Sequence, residues 1–178
     1  MSDVVRGVSS KLWGITEAAR EDCVLLAHHL SSDVGPAAYT SDERKALETA
    51  QVIGLRRGLR VVVDDRFAEV DRPTTWDDDY RAQAARYLGD RAEPGWEPRD
   101  RVVARFSAGV AAAIEASAAA DIVIVNHGLA LSLYVASVTT IDVVPFWQAL
   151  TFPDAWRLDL EAGTIERLYF AGLPPPDV

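Results

Sequence analysis

The sequence has 178 residues, 49% of them hydrophobic and 25% charged, which suits one globular domain and argues against extended disorder. Acidic residues outnumber basic ones by 27 to 18, and the net charge of -9 argues against nucleic acid or an anionic membrane as the main partner. The single cysteine, Cys23, excludes an internal disulfide and a metal site built from cysteines, and we predict no metal and no cofactor.

The first half of the chain alternates between helical and strand patterns. Thr16 is a suitable N-cap, and Cys23, Leu26, Ala27 and Leu30 follow it at helical spacing. The predicted elements that come next are a strand over residues 37–40, a helix capped by Ser41, a strand over residues 59–63 and a helix over Tyr80–Leu88.

The second half begins with the clearest helical pattern. Pro98 suits the first turn of a helix. The buried stripe of this helix is predicted to comprise Val102, Val103, Phe106, Val110 and Ile114.

A β-branched run over residues 122–125 is typical of a strand buried on both faces. Asn126-His127-Gly128 ends that strand, and a helix is predicted over residues 129–135. Two further strands, over residues 155–160 and Thr164–Phe170, are joined by a predicted turn at Ala162-Gly163.

Strands that alternate with helices predict a single domain over residues 1–178, a three-layer α/β/α sandwich with a mostly parallel central sheet. The first residues lack the apolar core of a signal peptide, and no apolar run approaches membrane length, so we expect a cytoplasmic protein without a membrane partner. An oligomer is compatible with this composition. Ligands of such folds bind at the carboxyl ends of the strands, here Thr40-Ser41 and Asn126-His127-Gly128.

His127 is the leading candidate for chemistry, because it follows a buried strand directly and precedes a helix. The alternative interpretation of His127 is a polar residue that ends the strand and is exposed in a loop. At the other junction, the helix start after Ser41 favours an anion and Lys45 adds a positive charge, although ordinary capping by Ser41 explains the same pattern. Glu69 follows a strand and an Asp pair and could reach the same edge of the sheet. His28 and His29 are interpreted as surface or packing residues.

Taken together, these segments resemble the histidine phosphatase (phosphoglycerate mutase-like) superfamily. Residues 40–50, TSDERKALETA, are similar to its Ser-Ser-x-x-x-Arg-Ala-x-x-Thr-Ala segment, and residues 15–21 are similar to its Leu-Thr-x-x-Gly-x-x helix start. Residues 66–69 fall at its Leu-x-Glu, and residues 123–128 resemble its second histidine motif. The four motifs occur in the family's order over most of the chain.

The resemblance implies a phosphoglycerate mutase-like fold and a pocket for a small anionic ligand. In the family, a first histidine attacks phosphorus, a glutamate protonates the leaving group and a second histidine stabilises the transition state. Glu69 matches the acid, His127 the second histidine and Lys45 an arginine that holds phosphoryl oxygens, with Ser41 and Gly128 as further phosphate-binding residues. A lysine keeps the charge but loses the bidentate fork of arginine. The pocket wall is expected from residues 71–98, which include Trp76, Tyr80 and Trp96.

The sequence departs from the family at the nucleophile, because no histidine precedes His28 and the Arg-His-Gly motif is absent. One alignment places Val4-Val5-Arg6 on the first strand and Gly7 at the position of the nucleophile. The other alignment places residues 8–13 after the motif, and the sheet would then have unpaired edges unless residues 3–6 form a short strand. Neither alignment supplies an attacking histidine.

Three functions are compatible with these residues. The first is a degenerate or non-phosphatase member that keeps a residual phosphate-type pocket. The second is a phosphomonoesterase whose nucleophile lies in sequence upstream of these 178 residues. The third is a repurposed enzyme in which Glu69 and His127 perform acid–base chemistry on a phosphate-free small molecule.

Overall fold

The computed structural model describes residues 9–73, 79–118 and 121–173. The helices of these residues are α1 (Glu17–His29), α2 (Arg44–Arg57), α3 (Tyr80–Leu88), α4 (Arg99–Ala116), α5 (Gly128–Val138) and α6 (Val143–Ala149). The strands are β1 (Val34–Thr40), β2 (Arg60–Val63), β3 (Asp121–Val125), β4 (Asp154–Asp159) and β5 (Thr164–Phe170). Short 3-10 turns occupy Ser10–Leu12 and Asp65–Phe67.

The central sheet is parallel and has the strand order β2-β1-β3. Thr40 at the end of β1 pairs with Val63 of β2 on one side and with Val125 of β3 on the other. The three predicted strands therefore lie in one sheet, and their carboxyl ends meet at one edge. The α/β fold with a parallel sheet is confirmed.

Helices cover both faces of this sheet. On one face, Ala37 and Tyr39 of β1 join a core with Phe106 of α4 and Leu129 of α5. On the other face, α2 contacts all three strands and packs in turn against α1. Successive side chains of β1 point to opposite faces of the sheet, as in any β-strand, and therefore pack into the two apolar layers in turn. Of the described residues, no helix is both long and apolar enough to cross a membrane.

β4 and β5 form a separate antiparallel hairpin, as their pattern predicts. Within the described ranges, β3 pairs with β1 along one edge, and no strand pairs with its other edge. Residues 3–6, which form a short substitute strand in one of the alternatives, lie outside the described residues.

Two local predictions are wrong. Ser41 does not cap a helix: α2 begins at Arg44, and its N-cap is Glu43, which makes no capping hydrogen bond through its side chain. Ile114 is 44% exposed rather than buried, because the last turn of α4 extends past the core that holds Val102, Phe106 and Val110.

Candidate functional site

The site lies where β1 and β3 end, and the two predicted junctions meet there. Thr40 ends β1 and is followed by Ser41, while β3 ends two residues before His127. Ser41 Oγ lies 2.7 Å from Nε2 of His127, so one hydrogen bond joins residues 86 positions apart in the chain. The side chain of His127 is only 2% exposed. The two strand ends therefore form one buried polar centre.

Four of the predicted site residues line a common cavity. Within the part of the chain that the structure describes, Lys45, Glu69, His127 and Gly128 all contribute to a cavity of about 1090 Å³. Its walls also include residues of β3 and β4. Ser41 is fully buried behind His127. The same cavity extends along β3 to Val34 and Asp121 at the other end of the sheet, so shared lining alone does not bring these residues together. Their catalytic and phosphate-binding roles stay predictions.

Glu43 is a carboxylate of this centre that the sequence analysis did not identify. Its side chain is 2% exposed, and Oε2 accepts a hydrogen bond of 2.8 Å from Lys45 Nζ. Oε1 accepts from the backbone amide of Glu69 at 3.3 Å and lies 3.8 Å from His127 Nε2. Burial raises the pKa of Glu43, but the nearby His127 ring and the Lys45 ammonium outweigh burial and lower it overall. Glu43 is therefore an ionised internal partner of Lys45.

The carboxylate of Glu69 lies at the N-terminus of α5. Oε1 accepts from the backbone amides of Val70 at 3.0 Å and Ala130 at 2.9 Å, and Oε2 accepts from Leu129 at 3.3 Å. Amides in the first turn of a helix have no partner inside the helix, and this end of a helix attracts negative charge. Glu69 thus binds the amides next to Gly128, where the sequence analysis placed a phosphate.

Arg105 holds the backbone that carries Glu69. Its guanidinium donates to the backbone carbonyls of Arg66 at 2.9 Å, Ala68 at 2.8 Å and Glu69 at 3.1 Å. It also forms a two-pronged ion pair with Glu97, at 2.9 and 3.0 Å. The planar guanidinium can make all these bonds at once, which a lysine cannot. Arg105 therefore fixes the backbone position from which the Glu69 side chain reaches the N-terminus of α5.

A comparison of the sequence with models of known protein families identifies the family of this chain. The model of the histidine phosphatase superfamily (branch 1) matches residues 13–156. The chain belongs to the histidine phosphatase superfamily. A comparison with curated proteins finds no match.

Solved structures with this fold are similar to the chain at low identity. Bacillus stearothermophilus YhfR is 20% identical, with a TM-score of 0.69 over 95% of this chain and 90% of that chain. A mycobacterial glucosyl-3-phosphoglycerate phosphatase in complex with inorganic phosphate is 24% identical, with a TM-score of 0.64 over 96% and 93%. A phosphoglycerate mutase from Bacillus anthracis str. Sterne is 16% identical, with a TM-score of 0.58 over 76% and 73%. At these identities the likeness shows the fold.

The wall of the site in this histidine phosphatase superfamily member contains an arginine that the sequence analysis missed. The Arg72 guanidinium lies 4.5 Å from the ring centre of Tyr80 and 5.6 Å from that of Trp96, and Arg72 and Tyr80 line the same cavity as His127. Burial and the charge of Glu69 raise the pKa of Tyr80 to about 12. Of the three aromatic residues expected in this wall, Trp76 lies outside the described residues.

The other two histidines of the sequence lie far from this centre. His28 and His29 end α1, shortly before β1 starts at Val34, and β1 runs from there toward the site. They are therefore at the opposite end of the sheet from His127. The ring of His29 packs against Tyr169, with 5.3 Å between ring centroids. The structure thus places His28 and His29 away from the strand ends.

Burial of His127 leads to a prediction about pH. Burial lowers the pKa of His127 below its ordinary value of 6.5, and the opposing charges of Glu69 and Glu43 do not compensate. The stabilising effect of the neutral ring is therefore complete above pH 6.5 and is lost as the pH falls toward the lower pKa of the folded state. Between pH 7.5 and 5.5, we therefore expect the wild type to lose more unfolding free energy than His127→Gln does.

Denaturant unfolding at the two pH values measures this difference. His28→Gln is the matched control, because His28 is exposed at the end of α1, and it should lose as much stability as the wild type. Equal losses in wild type and His127→Gln would show that His127 is protonated as easily in the folded chain as in the unfolded one.

Proposed function

We propose that this chain is a histidine phosphatase superfamily member that binds a small phosphate-bearing ligand beside His127 and does not use phosphohistidine turnover. The observation that carries the proposal is that Lys45, Glu69 and His127 surround the buried carboxylate of Glu43, with Lys45 Nζ at 2.8 Å, the Glu69 amide at 3.3 Å and His127 Nε2 at 3.8 Å. His28 and His29 lie at the other end of the sheet. The residues that match the family's basic and acid–base groups are therefore close together. The 178 residues contain no further histidine beside them that could act as the nucleophile.

The chemistry of the cavity supports a phosphate-bearing ligand. Lys45 and Arg72 contribute two positive charges to its lining, and α5 begins at its edge. An ammonium and a guanidinium are favourable partners of phosphoryl oxygens, whereas the first amides of α5 already bind Glu69. The solved complex of a similarly folded glucosyl-3-phosphoglycerate phosphatase with inorganic phosphate is in keeping with such a ligand. A pocket with these groups and no nucleophile can bind a phosphate ester and leave it intact.

Titration with inorganic phosphate tests the proposal. Lys45→Met keeps most of the unbranched side chain and removes its charge. We expect it to weaken phosphate binding by roughly tenfold, through the loss of one charge-assisted contact. Isothermal titration calorimetry at pH 7 measures the dissociation constant of each protein.

Arg44→Met is the matched control, because it removes a neighbouring positive charge of the same helix. The Arg44 side chain is 63% exposed and pairs with Glu48 at 2.7 Å. It should leave phosphate binding within about twofold of wild type. An equal loss of affinity in both variants would show that the weaker binding reflects the lower net charge of the protein rather than a contact with Lys45. An absence of phosphate binding by the wild type would overturn the proposed function.

A further inference from the structure

The groups predicted to hold phosphate already have anionic partners within this chain. Lys45 donates to Glu43 at 2.8 Å, and the amides at the start of α5 donate to Glu69. His127 lies 3.8 Å from the same Glu43 carboxylate. Glu43 thus accepts hydrogen bonds from the Lys45 ammonium and from the backbone amide of Glu69 at 3.3 Å, and the His127 ring lies beside them. An ammonium and a backbone amide are the kind of donors that bind an oxyanion.

We infer that Glu43 is an internal ligand of this site, whose carboxylate occupies the place of an anion beside Lys45 and His127 and competes with a bound phosphate. The inference rests on the proposed phosphate-binding function and adds a residue that sets the affinity of the site. Phosphate can contact Lys45 only if Glu43 shares or releases that ammonium, and a phosphate bound there is repelled by the Glu43 carboxylate. The competition is strong because the Glu43 side chain is nearly without solvent to screen it.

The backbone explains why Glu43 points inward. Glu43 is the N-cap of α2 with extended dihedral angles, φ -64° and ψ 129°, so its side chain does not follow the outer face of the helix. Its amide donates to Ser41 Oγ at 3.3 Å, and Ser41 in turn lies against His127. The short segment between β1 and α2 therefore directs the carboxylate into the centre that His127 closes from the other side.

Neutralising Glu43 should therefore strengthen phosphate binding. Glu43→Gln keeps the shape of the side chain and removes the competing charge, and we expect a dissociation constant for inorganic phosphate at least about tenfold lower than that of the wild type. A purely structural role of Glu43 would give the opposite result, since damage to the site weakens binding. Titration calorimetry at pH 7 measures both constants, and circular dichroism verifies that the variant is folded.

Glu115→Gln makes the same change of net charge at a distant position. Glu115 is exposed near the end of α4, at the opposite end of the sheet from His127, so its variant should bind phosphate like the wild type. Tighter binding by Glu43→Gln alone supports the inference. Equal or weaker binding by Glu43→Gln, with measurable binding by the wild type, overturns the inference and leaves the proposed function standing. An absence of binding by the wild type and by Glu43→Gln overturns both.

A second measurement on the unaltered chain applies even if Glu43→Gln does not fold. Phosphate that displaces Glu43 from Lys45 must change the surroundings of the carboxylate. Carbon-13 NMR of the glutamate side chains should then show one buried carboxylate signal that shifts with phosphate in a saturable manner. A phosphate titration that leaves the Glu43 signal in place would overturn the inference.

Discussion

Turnover of p-nitrophenyl phosphate by this chain is expected to be at least about 10³-fold slower than that of an enzyme with a phosphohistidine intermediate. Hydrolysis of phosphate monoesters is very slow without catalysis, and a tethered nucleophile supplies both an easier first step and in-line positioning. His127 is 2% exposed and bonded to Ser41, so its ring is not free to attack a phosphorus atom. If the proposed site binds an ester beside Lys45 and Glu69, water must attack it directly, without a tethered nucleophile.

A steady-state assay of the purified chain measures this rate, with His127→Ala as the control for contaminating phosphatase. Activity that persists unchanged in His127→Ala comes from another protein. Robust turnover that disappears in His127→Ala would contradict the prediction. Phosphohistidine trapped on His28 or His29 would contradict it more specifically, because both residues lie at the far end of β1.

The parallel sheet and the meeting of the two strand ends could be predicted because each depends on local signals. Residues 122–125 form a β-branched run, and the polar triplet after it marks the end of a strand. Once the strands are parallel, their carboxyl ends lie at the same edge, so the proximity of Ser41 and His127 follows from topology. Helix α6 escaped the prediction because Pro145 interrupts its short apolar pattern, although proline is tolerated in a first turn.

The electrostatic partners of the site could not be predicted in the same way. Glu43 stands two residues before Lys45 in a charged stretch that looks solvated, and only the extended backbone before α2 turns its carboxylate inward. Arg105 lies beside the buried stripe of α4, and the carbonyls that it binds are 36 to 39 residues away in the chain. A contact of that kind leaves no periodic signal, because it depends on where a loop passes over a helix.

Removal of the Arg105 guanidinium should produce the largest loss of stability among the site residues. Arg105→Met is expected to lower the free energy of unfolding by roughly 3 kcal/mol, because it leaves the Glu97 carboxylate without its cation and three backbone carbonyls without their donor. The side chains of Arg105 and Glu97 are only 19% and 11% exposed, so water replaces few of these bonds. Denaturant unfolding at pH 7 measures the change.

Arg56→Met is the matched control, since Arg56 is exposed in the last turn of α2 and its loss should change stability by less than about 0.5 kcal/mol. A double-mutant cycle with Glu97→Gln separates the ion pair from the carbonyl bonds, because only the ion pair gives a coupling energy between the two substitutions. The carbonyl bonds hold the backbone of Glu69, so Arg105→Met should also release the Glu69 carboxylate from the amides of Leu129 and Ala130. Amide chemical shifts of Leu129 and Ala130 that do not move in Arg105→Met would show that α5, rather than Arg105, positions Glu69.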